Sequence, residues 1–356
     1  MPPRTLQTTG SAGWRSIAAL CACLFVLPGS AGAEDSNPAA QRGPTAVCPV
    51  SREAVRPQDE FWSINSRGTC ATSPERAVDD LRYEQYVPGR GWTRRQLADF
   101  AIQAPDGNQS KRTVTSFFIV GNYYTHAEAV KTGWYAYHRL VAHGADDVAV
   151  RFVIWSWPAD PVPGRRLNDA KIKFTRVDPS AYQLARLVDQ LDPDVPLTFC
   201  GSSFGAGIAG GALQLLAGGR LGPYQLEAVP RPKRQTRLVV LGAAINNDAF
   251  LPGRKYGMAL SQAERTLVFV NPDDLALRVY HRLFSRRRVV SALGLTGPAG
   301  LRRSPHAPRI ELAWASPHVG RKHGMMPYWQ SPTLVARMRP YLLMQVMPSK
   351  QKGTVR

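Results

Sequence analysis

The sequence predicts an α/β protein with a doubly wound, mostly parallel sheet. From Thr113 onward, short and nearly continuous apolar runs alternate with amphipathic stretches. Strands that are buried on both faces show such runs, and strand–helix alternation is typical of a sheet covered by helices. Hydrophobic residues make up 44% and charged residues 20% of the 356-residue chain. This composition supports a large core and excludes a disordered protein.

The apolar runs and alternating patterns place strands at residues 60–65, 81–87, 115–120, 148–157, 197–200, 238–245, 267–270 and 310–315. Apolar residues at helical spacing place helices at residues 92–102, 126–143, 179–191 and 206–217. We expect a single domain over residues 48–345, followed by a basic tail at 346–356. Residues 275–309 combine an arginine-rich stretch with a Gly/Pro-rich loop, which predicts an insertion or lid.

The first 33 residues have the pattern of a signal peptide. Arg4 and Arg15 precede an apolar run at 17–27, and Ala31-Gly32-Ala33 fits a signal-peptidase site. The run is shorter than the about 20 residues that a spanning helix needs, which favours cleavage over anchoring; lipid attachment at Cys23 is a further alternative. The pattern predicts export to the periplasm, cell envelope or medium, with a flexible leader at 34–47 and no transmembrane segment in the mature chain.

The remaining cysteines do not indicate a metal site. Cys48 and Cys70 could pair in an exported protein or stay as two thiols, and both alternatives remain open. Cys200 lies in an apolar run and is expected in the core. Because no Cys/His spacing resembles a zinc motif, we predict no metal and no cofactor.

The chain is strongly basic, with a formal net charge of +19. Such a charge favours anionic surroundings, including a cell-envelope surface. No aromatic–basic repeat or nucleic-acid motif accompanies the charge, so nucleic-acid binding is not favoured. A solvated basic surface is the simpler interpretation.

One pentad, Gly201-Ser202-Ser203-Phe204-Gly205, lies between a predicted strand and a predicted helix. In this context the G-x-S-x-G pattern predicts a nucleophile elbow, with Ser203 on a strained turn above the sheet edge. The glycines allow strand and helix to pack closely. The helix N-terminus favours negative charge that develops at the serine.

A serine nucleophile needs a histidine base and an acid that orients the base. In α/β sheets with a nucleophile elbow, these residues follow one another along the chain as serine, acid and histidine. Asp273 and Asp274 follow a predicted strand, and Asp248 is the reserve acid. His323 and His318 both follow the last predicted strand. We select Asp274 and His323, with Asp273, Asp248 and His318 as alternatives.

The oxyanion of an acyl-transfer intermediate needs backbone donors. One is expected from the Phe204 N–H, and another from the loop at Gly121 and Asn122, which follows the strand at 115–120. A plain strand-ending turn is the alternative for that loop.

The chain resembles a family of α/β-hydrolase-fold proteins that is abundant in planctomycete bacteria and is defined by fold rather than by substrate. The matching segments spread over most of residues 85–342 and are FFIVGNYYTHAEAVKTGW, VRFVIWSWPADPVPG, LTFCGSSFGAGIAGGALQLLAGG, LVVLGAAINNDAFLPGRKYGMALSQ, DDLALRVY, ALGLTGPAGL and GRKHGMMPYWQSP. Carried over by position, the resemblance implies Ser203, Asp274 and His323 as site residues. The family usually has a histidine where this chain has Val120, which predicts a less firmly held oxyanion loop.

Two functional hypotheses follow. The first is an exported serine hydrolase that cleaves an ester or related acyl bond in a small molecule or a polymer. The second is an inactive hydrolase fold that binds the anionic cell envelope. Fold alone does not choose a substrate.

Overall fold

The computed structural model describes residues 55–68, 78–101, 112–144, 147–164, 166–229, 231–284, 290–301 and 304–346. The predicted signal peptide, the leader, Cys48 and Cys70 lie outside the described residues. So does all of the predicted tail except Val346.

A single sheet of nine strands runs through the described residues. In chain order the strands are Glu60–Asn65 (β1), Arg82–Val87 (β2), Gly91–Arg95 (β3), Arg112–Ile119 (β4), Val148–Ser156 (β5), Leu197–Ser202 (β6), Thr236–Leu241 (β7), Arg265–Val270 (β8) and Ile310–Trp314 (β9). Their spatial order is β3-β2-β1-β5-β4-β6-β7-β8-β9. β2 is antiparallel to β1 and β3, and every other pair is parallel. The predicted α/β, doubly wound and mostly parallel class is confirmed.

Helices lie between the strands and after the last one. They are Leu97–Ala101 (α1), His126–Tyr137 (α2), Arg166–Asp189 (α3), Phe204–Leu216 (α4), Ala259–Gln262 (α5), Leu275–Arg278 (α6), Tyr280–Phe284 (α7), Leu293–Thr296 (α8), Ser316–Val319 (α9), Met326–Gln330 (α10) and Pro332–Leu342 (α11). A π-helical turn, His138–Ala142, extends α2, and a 3₁₀ turn, Ala307–Arg309, precedes β9. No helix in the described ranges has both the length and the apolar character needed to cross a bilayer.

The core lies at the centre of the sheet and under α4. Phe117, Phe199 and Val240 on adjacent strands are fully buried. α4 consists largely of Ala and Gly, and all of its residues up to Leu215 are buried. Small side chains let this helix approach the sheet closely, which brings its N-terminus to the end of β6. Cys200 is a free, buried thiol in that strand, as predicted.

Three predicted boundaries are wrong. One helix is predicted at residues 92–102, but Gly91–Arg95 pairs with β2, and in the described part of this range the helix is Leu97–Ala101. The reason is that Gly89 and Gly91 adopt positive φ and close a hairpin. The helix predicted from Pro179 begins at Arg166 and contains the proline. The strand predicted to reach residue 245 ends at Leu241.

The segment predicted as a lid, 275–309, contains α6, α7, α8 and the 3₁₀ turn, and its residues 285–289 and 302–303 lie outside the described set. α8 is bonded to the loop after β7, because Leu293 N–H donates to Ile245 O at 2.7 Å and Gly294 N–H to Ala243 O at 3.0 Å. The apolar residues after Leu241 therefore pack under α8 rather than extend the strand.

Candidate active site

Ser203 occupies a strained turn between β6 and α4. Its backbone has φ of 52° and ψ of −118°, a region that non-glycine residues rarely adopt. The Ser203 N–H donates to Leu241 O at 2.9 Å, and Ser203 O accepts from Ala244 N–H at 3.2 Å. These bonds to the end of β7 and its following loop hold the turn, as strained backbone at functional sites requires.

Gly201 and Gly205 are required by close backbone packing around this turn. A Cβ at Gly201 would lie 2.5 Å from Gly205 O, and a Cβ at Gly205 would lie 2.4 Å from Ile119 O and 2.7 Å from Val120 O. Backbone atoms cannot move aside as side chains can. Strand, turn and helix therefore reach this separation only with glycine at both positions.

Gly205→Ala is expected to lower the free energy of unfolding by about 3 kcal/mol, at the upper end of overpacking costs, because strand and helix must separate. Gly210→Ala in the same helix is the matched control, since its Cβ would meet only side-chain atoms, those of Phe250 at 3.2 Å and Tyr256 at 3.4 Å, and no backbone. We expect it to stay within about 1 kcal/mol of the wild type, because alanine also favours helix. Urea unfolding of both variants checks this, and equal losses would contradict it.

Three side chains from separate loops form a hydrogen-bonded chain. His323 Nε2 lies 2.9 Å from Ser203 Oγ, and His323 Nδ1 lies 2.8 Å from Asp274 Oδ2. An ionised carboxylate only accepts hydrogen bonds. In that state Nδ1 carries the imidazole proton and Nε2 is free to accept the proton of the Ser203 hydroxyl.

Asp274 is fixed by the start of α6. It is fully buried, and its Oδ1 accepts from Leu277 N–H at 3.0 Å as the N-cap of that helix. This bond occupies one carboxylate oxygen and directs the other toward His323. The capping geometry therefore orients the acid that faces the imidazole.

The environment of His323 favours a basic imidazole. Burial lowers the pKa of His323, but the charge of Asp274 and its hydrogen bond outweigh burial and raise the pKa above the ordinary value of 6.5. The effect of Asp274 is thus to make His323 a stronger proton acceptor.

The structure does not bring the alternative residues to Ser203. Asp273 turns outward, with Oδ1 3.4 Å from Arg278 Nη2. Asp248 Oδ2 lies 3.3 Å from Arg254 Nε. His318 is exposed on α9, whereas the imidazole that reaches Ser203 Oγ is that of His323.

The loop predicted to carry oxyanion donors lies against the nucleophile. A Cβ on Gly121 would be 3.0 Å from Ser203 Cβ and 3.8 Å from Ser203 Oγ, so a side chain at this position would crowd the serine. Phe204 is the first residue of α4, and its N–H is among those that have no acceptor within a helix. Asn122 follows Gly121 directly.

Sequence reasoning missed the side chains that hold this loop. Trp157 Nε1 donates to Val120 O at 2.8 Å, and Asn122 Nδ2 donates to Asp169 Oδ2 at 3.0 Å. The loop at Val120 is thus held without the expected histidine. The spacing of Asp169 and Lys173, four apart on one helix, is a signal that could have been noticed.

Within the described residues, no group of three or more His, Cys, Asp or Glu side chains is arranged to hold a metal ion.

Similarity to known proteins is found among solved structures. No family model and no curated protein matches the chain. Among solved structures, the crystal structure of a gene product from Listeria innocua matches with 11% sequence identity and a TM-score of 0.33, covering 67% of this chain and 97% of that one.

Proposed function

We propose that the protein is an exported serine hydrolase that cleaves an ester or related acyl bond. The observation that carries the proposal is the hydrogen-bonded chain from Asp274 through His323 to Ser203, with the serine on a strained turn. The N-terminal pattern of residues 1–33 supports export. Ser203 keeps 8% of its surface exposed, which is consistent with access from outside.

In this mechanism Ser203 Oγ attacks the acyl carbonyl carbon while its proton passes to His323 Nε2. The carbonyl oxygen becomes an oxyanion, which the Phe204 N–H and an N–H of the Gly121–Asn122 loop stabilise. When the C–O bond to the leaving alcohol breaks, His323 returns the proton to the departing oxygen. Water then attacks the acyl-serine by the same route, releasing the acid and restoring the Ser203 hydroxyl.

Covalent labelling by a fluorophosphonate tests the proposal. Ser203 Oγ would displace fluoride from phosphorus, and we expect labelling of the mature wild type that is lost completely in Ser203→Ala. Ser202→Ala is the matched control, since it removes the hydroxyl of the neighbouring residue, which is buried at the end of β6; it should be labelled normally. Intact-mass measurement identifies the adduct.

A folded wild type that resists the reagent, but binds anionic polymer in a salt-sensitive manner, would replace the proposal with an envelope-binding module. If labelling succeeds, a panel of esters with acyl chains of different lengths identifies the substrate class.

A further inference from the structure

A buried ion pair lies on the first turns of α3. Asp169 and Lys173 are 2% and 0% exposed, and Lys173 Nζ lies 2.8 Å from Asp169 Oδ1. Lys173 Nζ also donates to the carbonyl of Asp160. Burying two charges costs so much desolvation that such a pair rarely adds stability beyond what apolar residues would give. Its other contacts are therefore the better guide to its role.

The carboxylate of Asp169 connects two loops. Its Oδ2 accepts from Asn122 Nδ2 at 3.0 Å, and its Oδ1 accepts from Val162 N–H at 2.7 Å. Asn122 Oδ1 is buried and has no hydrogen-bond partner in the described part of the chain. The link to Asp169 is thus what fixes the orientation of this amide, next to the glycine that packs on Ser203.

The loop after Asn122 needs such a constraint. Tyr123 has a φ of 63°, which is strained for a residue with a side chain and persists only where the surroundings enforce it. On its other side, Arg67 Nη2 donates to Tyr124 O at 3.0 Å. The strained residue is therefore held from both sides, by Asp169 through Asn122 and by Arg67 through Tyr124.

We propose that Asp169 and Lys173 are positioning residues which, through the Asn122 side chain, hold the backbone N–H groups of the Gly121–Asn122 loop where the oxyanion forms. The inference rests on the proposed function. Preorganised donors stabilise the transition state without rearranging, and a displacement of about 1 Å can cost about 10²-fold in rate. Lys173 keeps the Asp169 carboxylate in place and balances its negative charge.

The ionisation of Asp169 suits this role. Burial raises the pKa of Asp169, but hydrogen bonds from Lys173, Asn122 and the Val162 N–H outweigh burial and lower the pKa below 3.8. The carboxylate thus remains an acceptor for Asn122 throughout the pH range in which His323 titrates.

Steady-state kinetics on three variants test the inference. Asn122→Ala keeps the backbone N–H and the ion pair but removes the link, and Asp169→Leu/Lys173→Met removes both charges together. For each we expect kcat to fall about 10–10²-fold, KM to change less than about 3-fold, and the pH midpoint of activity to stay unchanged because His323 and Asp274 are untouched. Adding Asn122→Ala to the double variant should cost nothing further, because both changes break the same link.

Glu60→Gln is the control for a purely structural effect, since it breaks the pairing with Arg151 at the amino end of β1, opposite the site. It should lower thermal stability and leave kcat unchanged. Unaltered kcat in Asn122→Ala, or additive losses in the combined variant, would overturn the inference. If the double variant does not fold, the Asn122→Ala result alone suffices. A wild type that is not labelled by fluorophosphonate would instead remove the proposed function, and this inference with it.

Discussion

Replacing His323 with alanine is expected to lower kcat by about 10⁵–10⁶-fold on the ester that the wild type hydrolyses best. Removing the base from a unit of nucleophile, base and acid costs nearly as much as removing the whole unit. The Ser203 hydroxyl, 2.9 Å from His323 Nε2, would then have no acceptor for its proton. Steady-state kinetics, with circular dichroism to verify folding, measures the loss.

His318→Ala is the matched control, because His318 follows the same strand but is exposed on α9. It should retain kcat within about 2-fold, as surface substitutions generally have small effects. A large loss of kcat in His318→Ala, together with an active His323→Ala, would show that His318 and not His323 is the base.

Asp274→Asn is expected to lower kcat by about 10⁴-fold while leaving the fold intact. The atom that accepts from Leu277 N–H remains an oxygen, so the amide NH2 faces Nδ1 and donates to it, which favours the imidazole tautomer with its proton on Nε2. That tautomer cannot accept the proton of Ser203. Kinetics with the same ester measures this effect, and Asp273→Asn, which alters only a half-exposed carboxylate near Arg278, should remain near the wild-type rate.

The same variant should move the pH dependence of its residual activity. Activity needs neutral His323, so wild-type kcat/KM should fall as the pH drops through a pKa above 6.5. In Asp274→Asn only burial remains to shift the imidazole, and burial lowers its pKa. The midpoint should therefore move to lower pH. An unchanged or higher midpoint would show that Asp274 does not set the basicity of His323.

Short sequence patterns predicted those features of the fold that depend on residues close together in the chain, namely the buried strands and the turn at Ser203. The buried strands have continuous apolar runs because both faces of a parallel sheet are covered, and these runs were readable directly. The elbow was predictable because Gly201 and Gly205, on either side of Ser203, are dictated by contacts between neighbouring elements. Where turns and packing compete with periodicity, as at Gly91–Arg95 and beyond Leu241, the boundaries were misplaced.

Tertiary structure decided the remaining choices. Asp273 and Asp274 have the same chemistry, and they differ in the structure because only Asp274 caps α6 and is buried facing His323. His323 lies 120 residues from Ser203 along the chain, and Asn122 lies 47 residues from Asp169. No local pattern reports which distant side chains meet, because that depends on how the parallel strands order themselves and bring their loops to one edge. The sequence alone thus predicted the fold class and the glycines around Ser203, whereas the side chains that meet Ser203 and the contacts that hold the Gly121–Asn122 loop were determined by packing.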